Sequence, residues 1–153
     1  MRILALDIAT KTGFATDMAS GVWDLKLKKG ESNGMKLIRL NSKVREVVES
    51  LNIDLVVMER PAGLFKSAII TESELIGVVK LYCEEKNINY TEYSATEIKK
   101  FFTGKGNAKK VDMIEEAKRR FPEINIIDDN HADALALLEL AKSDLKWHNL
   151  YFA

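Results

Sequence analysis

At 153 residues the chain is long enough to bury roughly two-thirds of the surface its unfolded form exposes. Its 46% hydrophobic and 30% charged residues, with only two prolines, exclude an intrinsically disordered protein. Basic and acidic residues balance at 23 each, which argues against a sequence-blind nucleic-acid coat, yet residues 99–110 (KKFFTGKGNAKK) hold five lysines and no acid.

No apolar run approaches the roughly 20 residues of a membrane span, so no membrane association is expected. Met1–Asp7 is too short and too soon charged for a secretory signal. The single Cys83 falls in a helical pattern and fits a buried thiol, so the expected setting is reducing and cytoplasmic. With no linker, repeat or low-complexity segment, the expectation is one domain over 1–153.

Residues 2–8 (RILALDI) predict a buried strand with an acid near its end. Thr12–Met18 and Gly21–Lys28 follow as two further strands. In the second of them Val22, Asp24, Lys26 and Lys28 alternate with Trp23, Leu25 and Leu27, giving one wet face; with the first strand they form an antiparallel meander. From Met35 to Leu51 the period becomes helical: Leu37, Leu40, Val44, Val47, Val48 and Leu51 share a stripe. Residues 53–58 (IDLVVM) predict a strand that again ends in an acid, Glu59, before Arg60-Pro61-Ala62-Gly63 breaks it. A helix over about 68–86 and a strand over 89–93 come next. Ser94, with Glu97 three residues on, predicts a capped helix that stops at Gly104 and Gly106. Residues 108–121 are helical, with Met113, Ala117 and Phe121 on one stripe, and a last helix starts near Asp129. The order βββ-α-β-α-β-α-α-α implies an α/β fold: a five-stranded mixed sheet, three antiparallel strands and two parallel ones, flanked by helices.

Asp7 and Glu59 each end an apolar strand, where an ionised group needs a cation. If those strands are parallel neighbours, both acids reach one crevice at the C-terminal edge of the sheet, where open α/β sheets bind ligands. On the last helix Asp133 shares a face with Asn130 and Asp129, amid small residues that allow close approach to the sheet. Oxygen donors from two strands and a helix suit Mg²⁺ or Mn²⁺, as two ions about 3.5–4 Å apart that divide the work of cutting a phosphodiester. Each acid has a plainer role available. Asp7 could cap a turn into Thr10 and Thr12, Glu59 could pair with Arg60 or a lysine, and Asp129 could be only the N-cap of the last helix.

Four blocks, LALDIATKTGFA (4–15), VVMERPAG (56–63), YSATEIKKFFTGKGNAKK (93–110) and HADALALLELA (131–141), resemble the RuvC Holliday-junction resolvases of the ribonuclease H-like superfamily. The phrase Gly104–Lys110 resembles that branch in particular. The resemblance implies a metal-dependent endonuclease, a homodimer that binds a four-way DNA junction and nicks two strands symmetrically. Asp7, Glu59 and Asp133 match three metal-ligand positions of the catalytic set. The fourth falls on Asn130, where an acid is common, and Asp129 is the alternative. Lys99 and Lys110 fall on positions that resemble DNA-contacting lysines. Ile8-Ala9 stand where Pro-Gly is frequent, and the short chain without a basic tail is more similar to the phage-encoded branch, with looser selectivity among branched DNAs.

Lys99, Lys105, Lys109 and Lys110 bracket a glycine turn that leads into a helix, where the N–H groups of Asn107–Lys109 are placed to meet a phosphate. Phe65, in the loop after Glu59, is placed either to stack on unpaired bases or to pack at a dimer interface. Phe101 and Phe102 are expected in the core. His131 neighbours the ligand positions and could act near the metals, although two residues from Asp133 it faces elsewhere on the helix. The helix over 68–86 is apolar on more than one face (Ile69, Ile70, Leu75, Ile76, Val78, Val79 and Leu81), which fits a two-fold dimer or cover by another helix of the same chain. An actin-like ATPase would need a second glycine-rich phosphate loop and a second domain. A ribonuclease H-like enzyme acting on RNA, or a non-catalytic binder of branched DNA, are the remaining alternatives.

Overall fold

Pleat parity organises the molecule. The computed structural model describes residues 1–63 and 65–152, with side chains as far as residue 145. Its strands are β1 (Ile3–Asp7), β2 (Lys11–Ala15), β3 (Ser20–Asp24), β4 (Leu55–Glu59) and β5 (Asn89–Tyr93). They form one sheet in the order β3-β2-β1-β4-β5, antiparallel across β3-β2-β1 and parallel across β1-β4-β5. The helices are α1 (Gly34–Leu51), α2 (Lys66–Glu85), α3 (Ala95–Thr103), α4 (Lys110–Arg120) and α5 (Asp129–Phe152). Alternate residues of a strand point to opposite faces. On β1, Leu4 and Leu6 join the core under α1 and α2, whereas Ile3 and Ala5 join the core under α3, α4 and α5. Val56 and Met58 of β4 lie with the first set, Leu55 and Val57 with the second.

The two later strands of the meander are both shorter than expected, β2 stopping at Ala15 rather than Met18 and β3 at Asp24 rather than Lys28. Leu25 remains buried beyond the ladder and its N–H donates to the Thr10 carbonyl (2.8 Å), so burial and one further backbone bond continue past Asp24. Phe14 and Trp23 stack at 4.5 Å on the α1–α2 face. The capping box of α3 is present: Glu97 N–H donates to Ser94 Oγ (3.1 Å) and Ser94 N–H to Glu97 Oε2 (2.9 Å). Gly104, with φ of 85°, closes the helix in the left-handed conformation that favours glycine. Helix α4 starts at Lys110, two residues later than its apolar stripe suggests, and Phe121 lies just past its end. Phe102 is buried under the Arg120 guanidinium, but Phe101 is 38% exposed, a departure from the expectation that both fill the core. Cys83 is buried, as expected. Among the described residues no helix is long and apolar enough to cross a membrane.

Helix α5 is buried around most of its circumference, by the sheet on one side and α3 and α4 on the others. Ala132, Ala134 and Ala136 keep it close. At its start a Cβ added to Gly13 of β2 would lie 1.9 Å from the carbonyl oxygen of Asn130. Only glycine permits that approach. Gly13→Ala is expected to lift the first turn of α5 from the sheet and destabilise the fold by about 3 kcal/mol, the upper part of the range for overpacking; urea unfolding measures this, and an unchanged midpoint would refute the contact.

Candidate active site

Residues 5 and 57 are partners in the parallel β1–β4 register, as are 6 and 58. Asp7 and Glu59 follow as the next odd positions, so both carboxylates emerge on the α5 face at the C-terminal edge. Asp133, one turn into α5, meets them there. Oxygens of Asp7, Glu59 and Asp133 all lie within 4.8 Å of one another. Asp7 is 8% exposed, and Asp133 Oδ1 is shielded from solvent without a hydrogen-bond partner. Three carboxylates so close cannot all be ionised unless a cation joins them.

The proton affinities record this strain. Asp7 is raised well above the ordinary carboxylate range, by burial first and then by Glu59 and Asp133. Asp133 is pushed up to about 7, again by burial first, then by Glu59 and Asp129, with Lys99 and Lys110 opposing.

The crevice over Asp7 and Glu59 has a volume of about 220 Å³ and is also lined by Ile8, Arg60, Ala62, Gly63, Glu72, Ala95 and Lys99. Capping of α3 at Ser94 turns Ala95 and Lys99, one helical turn apart, toward it. The structure therefore brings Lys99 to the acids. Lys110 approaches from α4, its Nζ 3.7 Å from Asp129 Oδ2. Lys105 and Lys109 are exposed on the α3–α4 turn. The expected backbone phosphate cradle there is not formed by free N–H groups: Lys109 N–H donates to Asp112 Oδ2 (2.9 Å) and Ala108 N–H to the Lys105 carbonyl.

At the start of α5, Asp128 rather than Asp129 takes the capping role, accepting from His131 N–H at 2.9 Å. Asp129 is thereby left facing Asp133 and Lys110. Asn130 is half-buried, its backbone seated on Gly13. His131 is a core residue: Ile127 N–H donates to its Nδ1 (3.1 Å), which leaves Nε2 to donate to Ser20 Oγ (2.8 Å). Burial holds its pKa below the usual imidazole value. Phe65 is 74% exposed at the start of α2 and does not line the crevice.

Glu72 was not singled out in the sequence. It occupies the face of α2 that continues into Ile76, Val79 and Cys83, so the signal was an acid interrupting a buried apolar stripe. Its pKa is raised by burial and then by Glu59.

A profile of the family described as "Crossover junction endodeoxyribonuclease RuvC" matches residues 11–139. The chain belongs to the RuvC family. Among curated RuvC relatives it is 30% identical to that of Pseudothermotoga lettingae over 122 residues, 74% of this chain and 71% of that one. It is 40% identical to the Brachyspira hyodysenteriae RuvC over 68 residues, 44% of this chain and 42% of the relative, so that match spans less than half of the relative's length. Thermus thermophilus RuvC superposes with a TM-score of 0.78 at 17% identity, over 96% of each chain. The same protein in complex with Holliday junction substrate gives 0.73 at 17% identity, over 90% of each chain. The expected ribonuclease H-like sheet of the RuvC fold is therefore present.

The raised acids set a pH dependence for the metal-free protein. Folded Asp133 keeps its proton to about 7, whereas the unfolded chain releases it near the ordinary 3.8. The folded state binds more protons across that window, so its stability falls as pH rises through it. Thermal unfolding in EDTA is expected to occur at lower temperature at pH 8 than at pH 5, and Asp133→Asn to flatten the difference. A slope unaltered by the substitution would show that Asp133 is ionised at little cost.

Proposed function

We propose that the chain is a metal-dependent endonuclease that resolves Holliday junctions, and related branched DNA, by hydrolysing phosphodiesters in two strands. The observation that carries this reading is the convergence of Asp7, Glu59 and Asp133 within 4.8 Å, from two strands and a helix, in a crevice that Lys99 also lines. Membership of the RuvC family supports it, as does the fold shared with a resolvase solved on its junction.

The donor set fits hard divalent cations. All donors are carboxylate oxygens, the centre is anionic, and Asp133 Oδ1 lacks any other partner. Asp7, Glu59 and Asp133 would hold Mg²⁺ or Mn²⁺, as two ions, with Asn130 or Asp129 supplying a fourth oxygen. When bound, such ions supply an activated water and neutralise charge on the phosphate. The chain's own groups do the rest. Asp7 and Glu59, fixed by strand register, define where the scissile phosphate sits. Asp133 completes the donor set from the opposite side, and its position follows from the seating of α5 on Gly13. Lys99 offers its ammonium to a phosphate oxygen from the α3 side, and Lys110 guides the backbone beside Asp129. Exposed Lys105 and Lys109 extend the basic run along the duplex, contributing affinity without reading sequence. Phe65 is exposed enough to stack on an unpaired base at the junction centre.

Asp7→Asn, Glu59→Gln and Asp133→Asn are each expected to abolish Mg²⁺-dependent nicking of a labelled four-way junction while keeping junction affinity within a few-fold. Persistent cleavage by one variant removes that residue from the catalytic set, and uncut wild-type substrate overturns the functional reading. Of Asn130→Ala and Asp129→Ala, the inactive one identifies the fourth ligand.

Paired cuts in strands of like polarity need two active sites related by a two-fold axis, so the acting species in this reading is a homodimer. The structure narrows the surface available for it. Leu75, Ile76, Val79 and Tyr82 of α2 are buried in the core shared with α1, leaving Ile70, Leu81 and the neighbouring Ile38 of α1 about half exposed or more. The pair Ile38→Glu and Leu81→Glu is expected to give a folded monomer that nicks junctions singly. Sedimentation of the wild type as a monomer at micromolar concentration with junction bound would exclude the dimer.

A further inference from the structure

The crevice does not end at Glu59. Past Glu72 it runs into a cleft of about 380 Å³ lined by Thr10, Lys11, Ser67 and Thr71. Through Ser67 and Thr71 that cleft continues into another, of about 250 Å³, which Lys36 lines. The three share lining residues and form one trough along the C-terminal edge of the sheet. It lies on the opposite side of the carboxylates from the lysine run 99–110.

We propose that this trough is a second DNA track, in which the strand leaving the carboxylate centre passes its backbone phosphates along Lys11 and Lys36. The proposal rests on the functional reading above and adds to it where the DNA goes on the far side of the cut. One wall is built for phosphate. Lys11 is exposed at the start of β2 and makes no ion pair among the described residues. Its cross-strand neighbour Asp24 accepts instead from Lys26 N–H (2.9 Å). Lys36, on the first turn of α1, donates to Thr10 Oγ1 at 3.4 Å, which holds its ammonium over the trough. Ser67 and Thr71 add hydroxyl donors from the other wall. That wall also carries Glu72 and Glu74, so the strand lies against the Thr10, Lys11 and Lys36 side and not along the helix. The ligand class follows from the shape. A trough continuous with a phosphodiester-cutting centre, with cations spaced along one wall and hydroxyls on the other, suits an extended polyanion, and the substrate strand is the one that must pass there.

Lysine–phosphate contacts show in the salt dependence of binding, each contributing about 0.7 to 0.9 to the slope of log affinity against log salt. Full-length wild type and the Lys11→Ala/Lys36→Ala double variant would be titrated with a fluorescent four-way junction in EDTA, where no strand is cut, across a salt series. The expected result is a slope lower by about 1.4 to 1.8 and roughly tenfold weaker binding at low salt. Lys86→Ala, at the far end of α2, serves as control and is expected to leave both unchanged. An unaltered slope in the double variant, or an equal fall per lysine in the control, overturns the trough while leaving the nuclease reading intact. A wild type that binds no junction overturns both together.

Discussion

The approach of α5 to the sheet is the constraint from which the rest of the site follows. A helix normally stands off a sheet because side chains on both surfaces intervene. Here those side chains have been reduced to Ala5 and Gly13 below and, on the helix face that Asn130 and Asp133 share, to Ala134 above. The close seating lets a short aspartate on the helix reach two acids on the strands. With a larger residue at position 13, the carbonyl of Asn130 would have to move, and Asp133 would move with it. His131 holds the same turn from the other side, tied by one ring nitrogen to the edge strand at Ser20 and by the other to the backbone of Ile127.

That seating also concentrates like charge. Asp7, Glu59 and Asp133 are pressed together in a partly dry crevice, with Asp129 and Glu72 nearby, and the cations facing them are few: Lys99 and Arg60 in the crevice lining, and Lys110 near Asp129. Without a cation the repulsion would be relieved by protons, in keeping with the raised affinities of Asp7 and Asp133. The fold thus holds its acids in an arrangement that only a cation can fully satisfy, and the energy is supplied by the two cores packed on either side of the sheet.

Much of this was legible in the sequence because strands declare themselves by burial. Two apolar runs ending in Asp7 and Glu59, followed by an alanine-rich helix with Asp133, leave few arrangements open once β1 and β4 are parallel neighbours. Where the sequence was silent, a choice depended on tertiary contacts. Asp128 and Asp129 are equivalent as cap candidates until His131 N–H selects the first. The N–H groups before α4 look free until Asp112 folds back on Lys109. Glu72 hides in α2 because its helical face becomes a crevice wall only where the helix overhangs the end of β4. Leu25 keeps the strand rhythm past Asp24 because its burial and its bond to the Thr10 carbonyl outlast the β2–β3 pairing, which ends at Lys11 and Asp24.

The shared register of β1 and β4 has a consequence for how such a chain can vary. Its acids are addressed by parity: odd positions on both strands face α5, even positions face α1 and α2. Residues 25–54, which link β3 to β4 through α1, can change in length without altering that address, because the ladder re-establishes the pairing at Leu55. Deleting one residue within β4 is different in kind. It would turn the carboxylate of Glu59 toward the hydrophobic face beside Leu75 and bring Arg60 instead of an acid beside Asp7, exchanging the two faces of the strand in one step. Lengthening is therefore a tolerated dimension of this architecture outside the strands, and inside them the unit of permissible change is two residues.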